Sequence, residues 1–175
     1  DEIAALVSTE GLGLEAFLEA ARDPSPVRDL DPVATDLEGY LFPDTYDLPQ
    51  SPEAPRALVR RMTGRFREII TPQLERIAEK GLTVRQVVTL ASIVELETAV
   101  ADERPRIAAV FLNRLRKGMP LQTDPSVIYA MKRAGRWDGN IRKRDLDIDS
   151  PYNTYRRPGL PPGPLGSPGR EAILA

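Results

Sequence analysis

The stretch TVRQVVTLASIVELET, residues 83–98, decides how this sequence folds. At about 100° per residue, Val84, Val88 and Ala91 fall on one side of a helix, and neighbouring valine and leucine residues widen the apolar arc. Glu95 falls about 20° from Val84, in the middle of that arc. The pattern therefore predicts an amphipathic helix that carries one carboxylate on its apolar face.

The position of Glu95 has a possible chemical use. A carboxyl group in apolar surroundings resists ionisation, so it can stay protonated near neutral pH and donate a proton to a leaving oxygen. Breaking a glycosidic bond requires such a donor. The structural alternative is a Glu95 that is paired with an arginine such as Arg85, Arg104 or Arg106 and takes no part in chemistry. The pattern alone leaves both interpretations open.

Outward from this stretch, the sequence is mostly helical with a minor extended component. Apolar residues recur at helical spacing in 11–22, 53–79, 103–117 and the short stretch between Thr123 and Gly135. Pro72 predicts a bend or break in the second of these. Residues 23–36 resemble a linker, and residues 37–49 (LEGYLFPDTYDLP) predict short extended pieces with a turn.

Composition excludes several classes of function. The 175 residues include no histidine and no cysteine, which excludes Ser-His and Cys-His nucleophile pairs and zinc sites built on imidazole or thiolate. We expect no metal and no cofactor. The net charge of −2 lacks the basic excess typical of nucleic-acid binding. No apolar run approaches the roughly 20 residues that span a bilayer.

Three adjacent polar residues precede a predicted helix. Asp124 stands before Pro125, which favours a helix cap, with a substrate contact as the alternative. Gln122 and Thr123 come immediately before it and are candidates to face a cleft, although a simple turn explains them equally.

A second polar segment combines aromatic and hydrogen-bonding side chains. Tyr152, Asn153, Thr154 and Tyr155 form a mixture that suits sugars, because rings cover their apolar faces and amides bond their hydroxyl and acetamido groups. A polar surface loop is the alternative. Residues 158–169 hold five prolines and four glycines, a composition typical of a disordered linker, or of a rigid loop that forms the wall of a cleft.

Together these segments resemble the endolytic murein transglycosylases, also called the MltG or YceG-like family. The resemblance rests on strings that occur in the family's order with similar spacing: LEGYLFPDTY (37–46), LASIVELETAVADER (90–104), VFLNRLRKGMPLQTDPSVIYA (110–130), YNTYRRPGLPPGPLGSPG (152–169) and the tail EAILA. It covers the chain from residue 37 to its end.

The resemblance implies an activity and a setting. Such proteins cleave nascent peptidoglycan strands internally, between N-acetylmuramic acid and N-acetylglucosamine, and leave a 1,6-anhydro-muramyl end. An N-terminal helix, absent from this chain, anchors them to the cytoplasmic membrane, on whose outer face they act. Peptidoglycan strands are the expected partner, with peptidoglycan synthases as possible further partners.

The resemblance also implies roles for individual residues. The family's catalytic acid/base is the first glutamate of the ASIVExET motif, which is Glu95 here. We expect the remaining candidates to position the glycan: Glu97, Gln122, Thr123, Asp124, Tyr152, Asn153, Thr154 and Tyr155.

The implied architecture is an α+β, predominantly helical catalytic domain of lysozyme-like type with a minor β component. It would occupy residues 37–175 and lack its C-terminal part, whereas residues 1–36 would be the end of a preceding LysM-like region plus a linker. Two other functions stay open at this point. One is a lysozyme-like hydrolase that uses water as acceptor, and the other is a glycan-binding or scaffolding domain without turnover.

Overall fold

The computed structural model describes residues 2–48 and 51–175, and within them the chain is predominantly helical with no β-strand. The described chain forms two compact units, residues 1–84 and residues 85–175. This division by contacts differs from the predicted separation of a LysM-like region at residue 36 from a catalytic domain, which stays a prediction.

The described part of the first unit contains four α-helices and, at Ser25–Val27, a short 3-10 helix. The α-helices are α1 (Glu2–Thr9), α2 (Leu14–Ala21), α3 (Ala54–Ile70) and α4 (Leu74–Glu79). A 3-10 turn at Thr71–Gln73 separates α3 from α4, which confirms the break predicted from Pro72, because proline cannot supply the amide that a continuous helix needs. α2 packs against α3, and the rings of Tyr40 and Phe66 meet edge to face with centroids 5.2 Å apart.

The predicted extended component is not found in the described residues. Residues 37–48 form turns and irregular backbone, and Pro49 lies outside the described residues. Leu37, Leu41 and Phe42 are buried there, so the aromatic and aliphatic side chains of this segment serve the core without strand pairing. The α+β prediction is therefore supported only in its helical part.

The second unit is built on the helix that the opening stretch predicts. It contains α5 (Val84–Glu97) from residue 85 onward, α6 (Arg104–Arg116), α7 (Asp124–Arg133) and the short α8 (Arg170–Leu174). Short 3-10 segments precede α6 and follow α7, at Ala101–Glu103 and Lys143–Asp147. Pro105 lies in the first turn of α6, where its missing amide has no intrahelical partner to lose.

Two apolar clusters hold this unit together. The larger joins α5, α6 and later loops and comprises Leu90, Ile93, Val94, Ala108, Phe111, Leu121 and Leu165. The smaller joins α7 to Ile148, with Trp137 packed against it. Both clusters lie directly under the loops that carry the candidate site residues, so those loops rest on a fixed base.

Candidate active site

The middle of α5 is buried on every side. Residues 88–94 are all buried, including Thr89 and Ser92, each 1% exposed. Ser92 can be buried because its hydroxyl donates to the carbonyl of Thr89 at 2.7 Å and accepts the amide of Leu165 at 3.0 Å. Glu95 is the first residue beyond this buried stretch, so its position at the end of the helix, and not its helical face alone, sets its surroundings.

Glu95 lies among polar partners. Its Oε1 is 3.0 Å from Nη2 of Arg104, and its Oε2 accepts the backbone amide of Gly169 at 3.3 Å. The side chain of Glu95 is 32% exposed, and that of Arg104 is 13% exposed. The expectation of an apolar environment for Glu95 was wrong, because the apolar arc ends one residue earlier and α6 brings a guanidinium to the carboxylate.

The segment 158–169, called the strap below, runs along α5 as an ordered loop. Arg85 donates its Nε–H to the carbonyl of Pro162 at 2.9 Å, Ser92 accepts from Leu165, and Glu95 accepts from Gly169. The strap and α5 run in the same direction, so residues further along the strap bond residues further along α5. The interpretation as a disordered linker was wrong, and the alternative of a rigid loop beside Glu95 agrees with these bonds.

A second polar cluster gathers around Glu97, two residues later on α5. The hydroxyl of Thr123 donates to Oε2 of Glu97 at 2.8 Å, and the hydroxyl of Tyr155 donates to Oδ1 of Asp124 at 2.6 Å. Glu97 and Asp124 are exposed. α7 begins at Asp124 with Thr123 at the N-cap position and without a side-chain cap. Asp124 is therefore not the cap that the sequence favoured, because its carboxylate accepts from a tyrosine instead.

Tyr155 shows how strongly this cluster is charged. Its burial, its hydrogen bond to Asp124 and the negative charges of Asp124 and Glu97 raise the pKa of Tyr155 to about 12, and Arg114 opposes the shift. The tyrosine is therefore a protonated donor at all physiological pH values. Arg114 itself donates to the carbonyl of Leu121 and so fixes the loop that leads to α7.

Gln122 has a left-handed backbone conformation, which residues other than glycine rarely adopt. Its φ is +52°, and among the described residues it is the one non-glycine residue with a positive φ. Its amide donates to the carbonyl of Thr154 at 3.1 Å, while its side chain is exposed. Left-handed backbone in a residue with a side chain stores strain that is typical of functional loops.

Asn153 and Thr154 are buried and hold the loops. The Asn153 amide nitrogen donates to the carbonyls of Leu146 and Ile148 at 2.9 and 2.8 Å, and its oxygen accepts the amide of Tyr155 at 3.0 Å. The Thr154 hydroxyl bonds Ser126 and accepts the amide of Thr123. In this arrangement both side chains form hydrogen bonds within the protein, and these bonds hold the loops of the site in place. Their predicted contact with the glycan stays a prediction.

Tyr152 contacts other residues than those of the Glu97 cluster. Its ring packs against that of Tyr129, with centroids 4.7 Å apart, and the guanidinium of Arg133 stands 5.4 Å from its centroid. The structure thus places six of the sequence candidates in three settings: Glu95 with Arg104, Glu97 with Thr123 and the Asp124–Tyr155 pair, and the Tyr152 aromatic group. The other three, Gln122, Asn153 and Thr154, lie in the loops between these settings. The described residues contain no group of three potential ligand side chains arranged to hold a metal ion.

Comparison with known proteins identifies the family of the chain that carries this site. The YceG-like family profile matches residues 2–175, which include all of the candidates above. The chain belongs to the YceG-like family. This YceG-like chain is 40% identical to a Bacillus subtilis protein named endolytic murein transglycosylase, over 78% of its own length. It is 37% identical to a Streptococcus pneumoniae protein of the same name, over 94% of its length.

A solved structure shares the fold. The crystal structure of a yceG-like protein from Listeria monocytogenes superposes with a TM-score of 0.81 at 31% sequence identity, and covers 98% of this YceG-like chain and 61% of the other. The YceG-like chain spans 37% and 33% of the lengths of the Bacillus and Streptococcus relatives. None of the helices in its described part is both long and apolar enough to cross a membrane.

Sequence reasoning missed one partner of Glu95 and named the other. Gly169 enters the sequence analysis only as part of a proline- and glycine-rich stretch, although its position just before a helix-like tail indicates a free backbone donor. Arg104 is one of the three arginines named in the structural alternative, and the ion pair with Glu95 that this alternative expects is present. The lack of a chemical role, which the same alternative expects, stays a prediction. The place of Arg104 nine residues after Glu95, at the start of the next helix, is the signal that α6 begins beside the end of α5.

Proposed function

We propose that this chain is the catalytic part of an endolytic lytic transglycosylase, which cleaves peptidoglycan strands between N-acetylmuramic acid and N-acetylglucosamine and leaves 1,6-anhydro ends. The observation that carries the proposal is the likeness to two curated relatives that both bear the name endolytic murein transglycosylase, at 40% and 37% identity. The family profile spans α5 and the loops around it, so the likeness includes the candidate site.

In the first step, protonated Glu95 donates its proton to the glycosidic oxygen as the bond between sugar and oxygen breaks. The positive charge that develops at the anomeric carbon is stabilised by the sugar's own acetamido group, so no second enzyme carboxylate is required. The exposure of 32% supports this role, because a glycan can reach the carboxyl group while α5 holds its backbone rigid.

In the second step, Glu95 acts as a base. It takes the proton from the C6 hydroxyl as that oxygen attacks the anomeric carbon, which closes the anhydro ring and regenerates the acid. One carboxyl group thus serves both halves of the reaction, and no water is consumed. This differs from the two-carboxylate scheme of ordinary glycosidases.

The accessible polar groups of the Glu97 cluster are the proposed glycan contacts. Glu97, Gln122 and Asp124 are exposed, and Tyr155 supplies a hydroxyl that stays protonated. Thr123 holds Glu97 in place through its hydroxyl. Tyr152 offers an aromatic surface of the kind that covers apolar sugar faces.

The wider setting follows from the same proposal. The catalytic region would have a lysozyme-like architecture with a minor β component completed outside the described helices. The protein would be held by an N-terminal membrane anchor outside this chain and act on the outer face of the cytoplasmic membrane. Peptidoglycan synthases are the proposed protein partners.

The test compares Glu95→Gln with Glu97→Gln on intact, uncrosslinked glycan strands, with products identified by mass spectrometry. Glu95→Gln keeps the shape of the side chain and removes the titrating proton, so we expect product release to fall by roughly 10²–10⁴-fold. Glu97→Gln should cost less, because it removes a charge from the cluster but no reacting proton. Near-normal release by Glu95→Gln would refute the assignment.

The masses of the products separate the alternatives. An anhydro product, lighter by one water, supports transglycosylation, whereas a hydrated product identifies a hydrolase. Glycan binding that survives Glu95→Gln, without soluble products from the wild type, would identify a binding domain and overturn the proposal.

A further inference from the structure

The contact between Arg104 and Glu95 has a feature that a purely structural ion pair does not require. Arg104 reaches Glu95 through Nη2 alone, at 3.0 Å, and its Nε is buried without a hydrogen-bond partner. A buried arginine that only stabilises the fold usually forms paired hydrogen bonds through two nitrogens. An unpaired buried donor is unfavourable, so this arrangement carries a cost that packing alone does not explain.

The same contact fixes the orientation of the Glu95 side chain. One carboxyl oxygen lies against Arg104, and the other accepts the Gly169 amide. The proposed reaction begins with Glu95 protonated and passes through a stage at which it carries a negative charge. A positive group fixed beside the position where that charge develops stabilises it.

We propose that Arg104 is a positioning residue that orients the carboxyl group of Glu95 and holds the carboxylate that forms when the glycosidic bond breaks. This inference rests on the proposed function. When the proton has passed to the leaving oxygen, the guanidinium stabilises the carboxylate and keeps it directed at the C6 hydroxyl. Arg104 thus acts through Glu95 and does not contact the reacting atoms.

Other charged groups on the neighbouring elements do not share this role. On α5, Glu97 bonds Thr123, and at the start of α6, Glu103 accepts the hydroxyl of Thr98 at 2.8 Å. Arg106 on α6 is exposed, as are Arg170 and Glu171 on α8. Among the described residues, Arg104 is the charged side chain in hydrogen-bond contact with Glu95.

The test compares the steady-state kinetics and the unfolding midpoint of the full chain for Arg104→Gln, with Arg104→Lys as the conservative variant. Arg104→Gln removes the positive charge that stabilises the Glu95 carboxylate during the reaction, so its kcat should fall by about 10–100-fold. Its KM and its unfolding midpoint should stay near those of the wild type. Arg104→Lys keeps the charge and should recover most of the lost kcat.

Arg106→Gln is the matched control, since it makes the same change of charge on the same helix without a contact to Glu95. Its kcat should stay near that of the wild type because solvent screens an exposed charge. An unchanged kcat for Arg104→Gln would overturn the inference. So would a loss of kcat that Arg104→Lys does not recover and that a lower unfolding midpoint accompanies, because Arg104 would then be merely structural.

The outcomes of this test separate the inference from the proposed function. A wild type that releases anhydro products, together with an Arg104→Gln variant whose kcat is unchanged, overturns the role of Arg104 alone. Failure of the wild type to release any product overturns the proposed function, and the catalytic role of Arg104 with it.

Discussion

Replacing Asn153 by alanine tests whether this residue holds the fold or contacts the substrate. The sequence predicts a glycan contact, whereas the structure buries the residue completely and gives its amide three backbone partners: Leu146, Ile148 and Tyr155. If the structural interpretation is correct, Asn153→Ala should lower the free energy of unfolding.

The size of the effect follows from those contacts. Each of the three hydrogen bonds contributes about 1 kcal/mol net, which gives about 3 kcal/mol. The bond to Ile148 is the most buried of the three, and alanine leaves its carbonyl unsatisfied. That loss places the expected total at about 3–4 kcal/mol. Such a change is a large fraction of the stability of an ordinary domain.

Trp137 supplies the assay. It is the chain's only tryptophan and packs against the cluster that contains Ile148, so its fluorescence reports the unfolding of this part of the second unit. In urea, the transition of Asn153→Ala should move down by about 1–4 M. Asn140→Ala is the control, because Asn140 is exposed, and its change should stay within about 0.5 kcal/mol. A stable Asn153→Ala variant with weakened glycan binding would refute the structural reasoning.

Two further predictions concern the strap and the Tyr155 cluster. A Cβ at Gly163 would lie 2.8 Å from Nη2 of Arg85, so Gly163→Ala should displace the guanidinium, weaken its bond to the strap and lower stability by about 1 kcal/mol in the same fluorescence assay. Gly166→Ala, with open space around its Cβ, should change little, and equal effects would contradict the pinned strap. In an ultraviolet absorbance titration, Asp124→Asn should bring the pKa of Tyr155 from about 12 back toward 10. Because the folded pKa is raised, the stability that this tyrosine contributes is complete below about pH 10 and is lost as pH rises through about 12. A wild-type Tyr155 that titrates near pH 10 would show that the cluster does not form.

The helices could be predicted because their evidence is local. Apolar spacing placed α2, α5, α6 and α7 close to their observed bounds, and Pro72 marked the break between α3 and α4. Local chemistry also predicted short extended pieces at residues 37–49, where aromatic residues are frequent. Strands require a paired neighbour, and the described residues offer none.

The surroundings of Glu95 could not be predicted, because they depend on distant partners. The helical projection of residues 83–98 assumes that only the apolar face of α5 is buried. Thr89 and Ser92, on its polar side, are buried as well, since backbone groups satisfy the Ser92 hydroxyl. The Gly169 amide comes from 74 residues further along the chain. Single-sequence periodicity carries no information on contacts at such separations.

The proline content of the strap has a consequence for the geometry at Glu95. Proline restricts φ in the unfolded chain as well as in the folded one, so each of the five prolines in these 12 residues reduces the conformational entropy lost when the strap orders. The four glycines of the strap have the opposite effect, because glycine loses more conformational freedom on folding than any other residue. The prolines therefore offset part of the cost of ordering the loop that brings the N–H of Gly169 to Glu95.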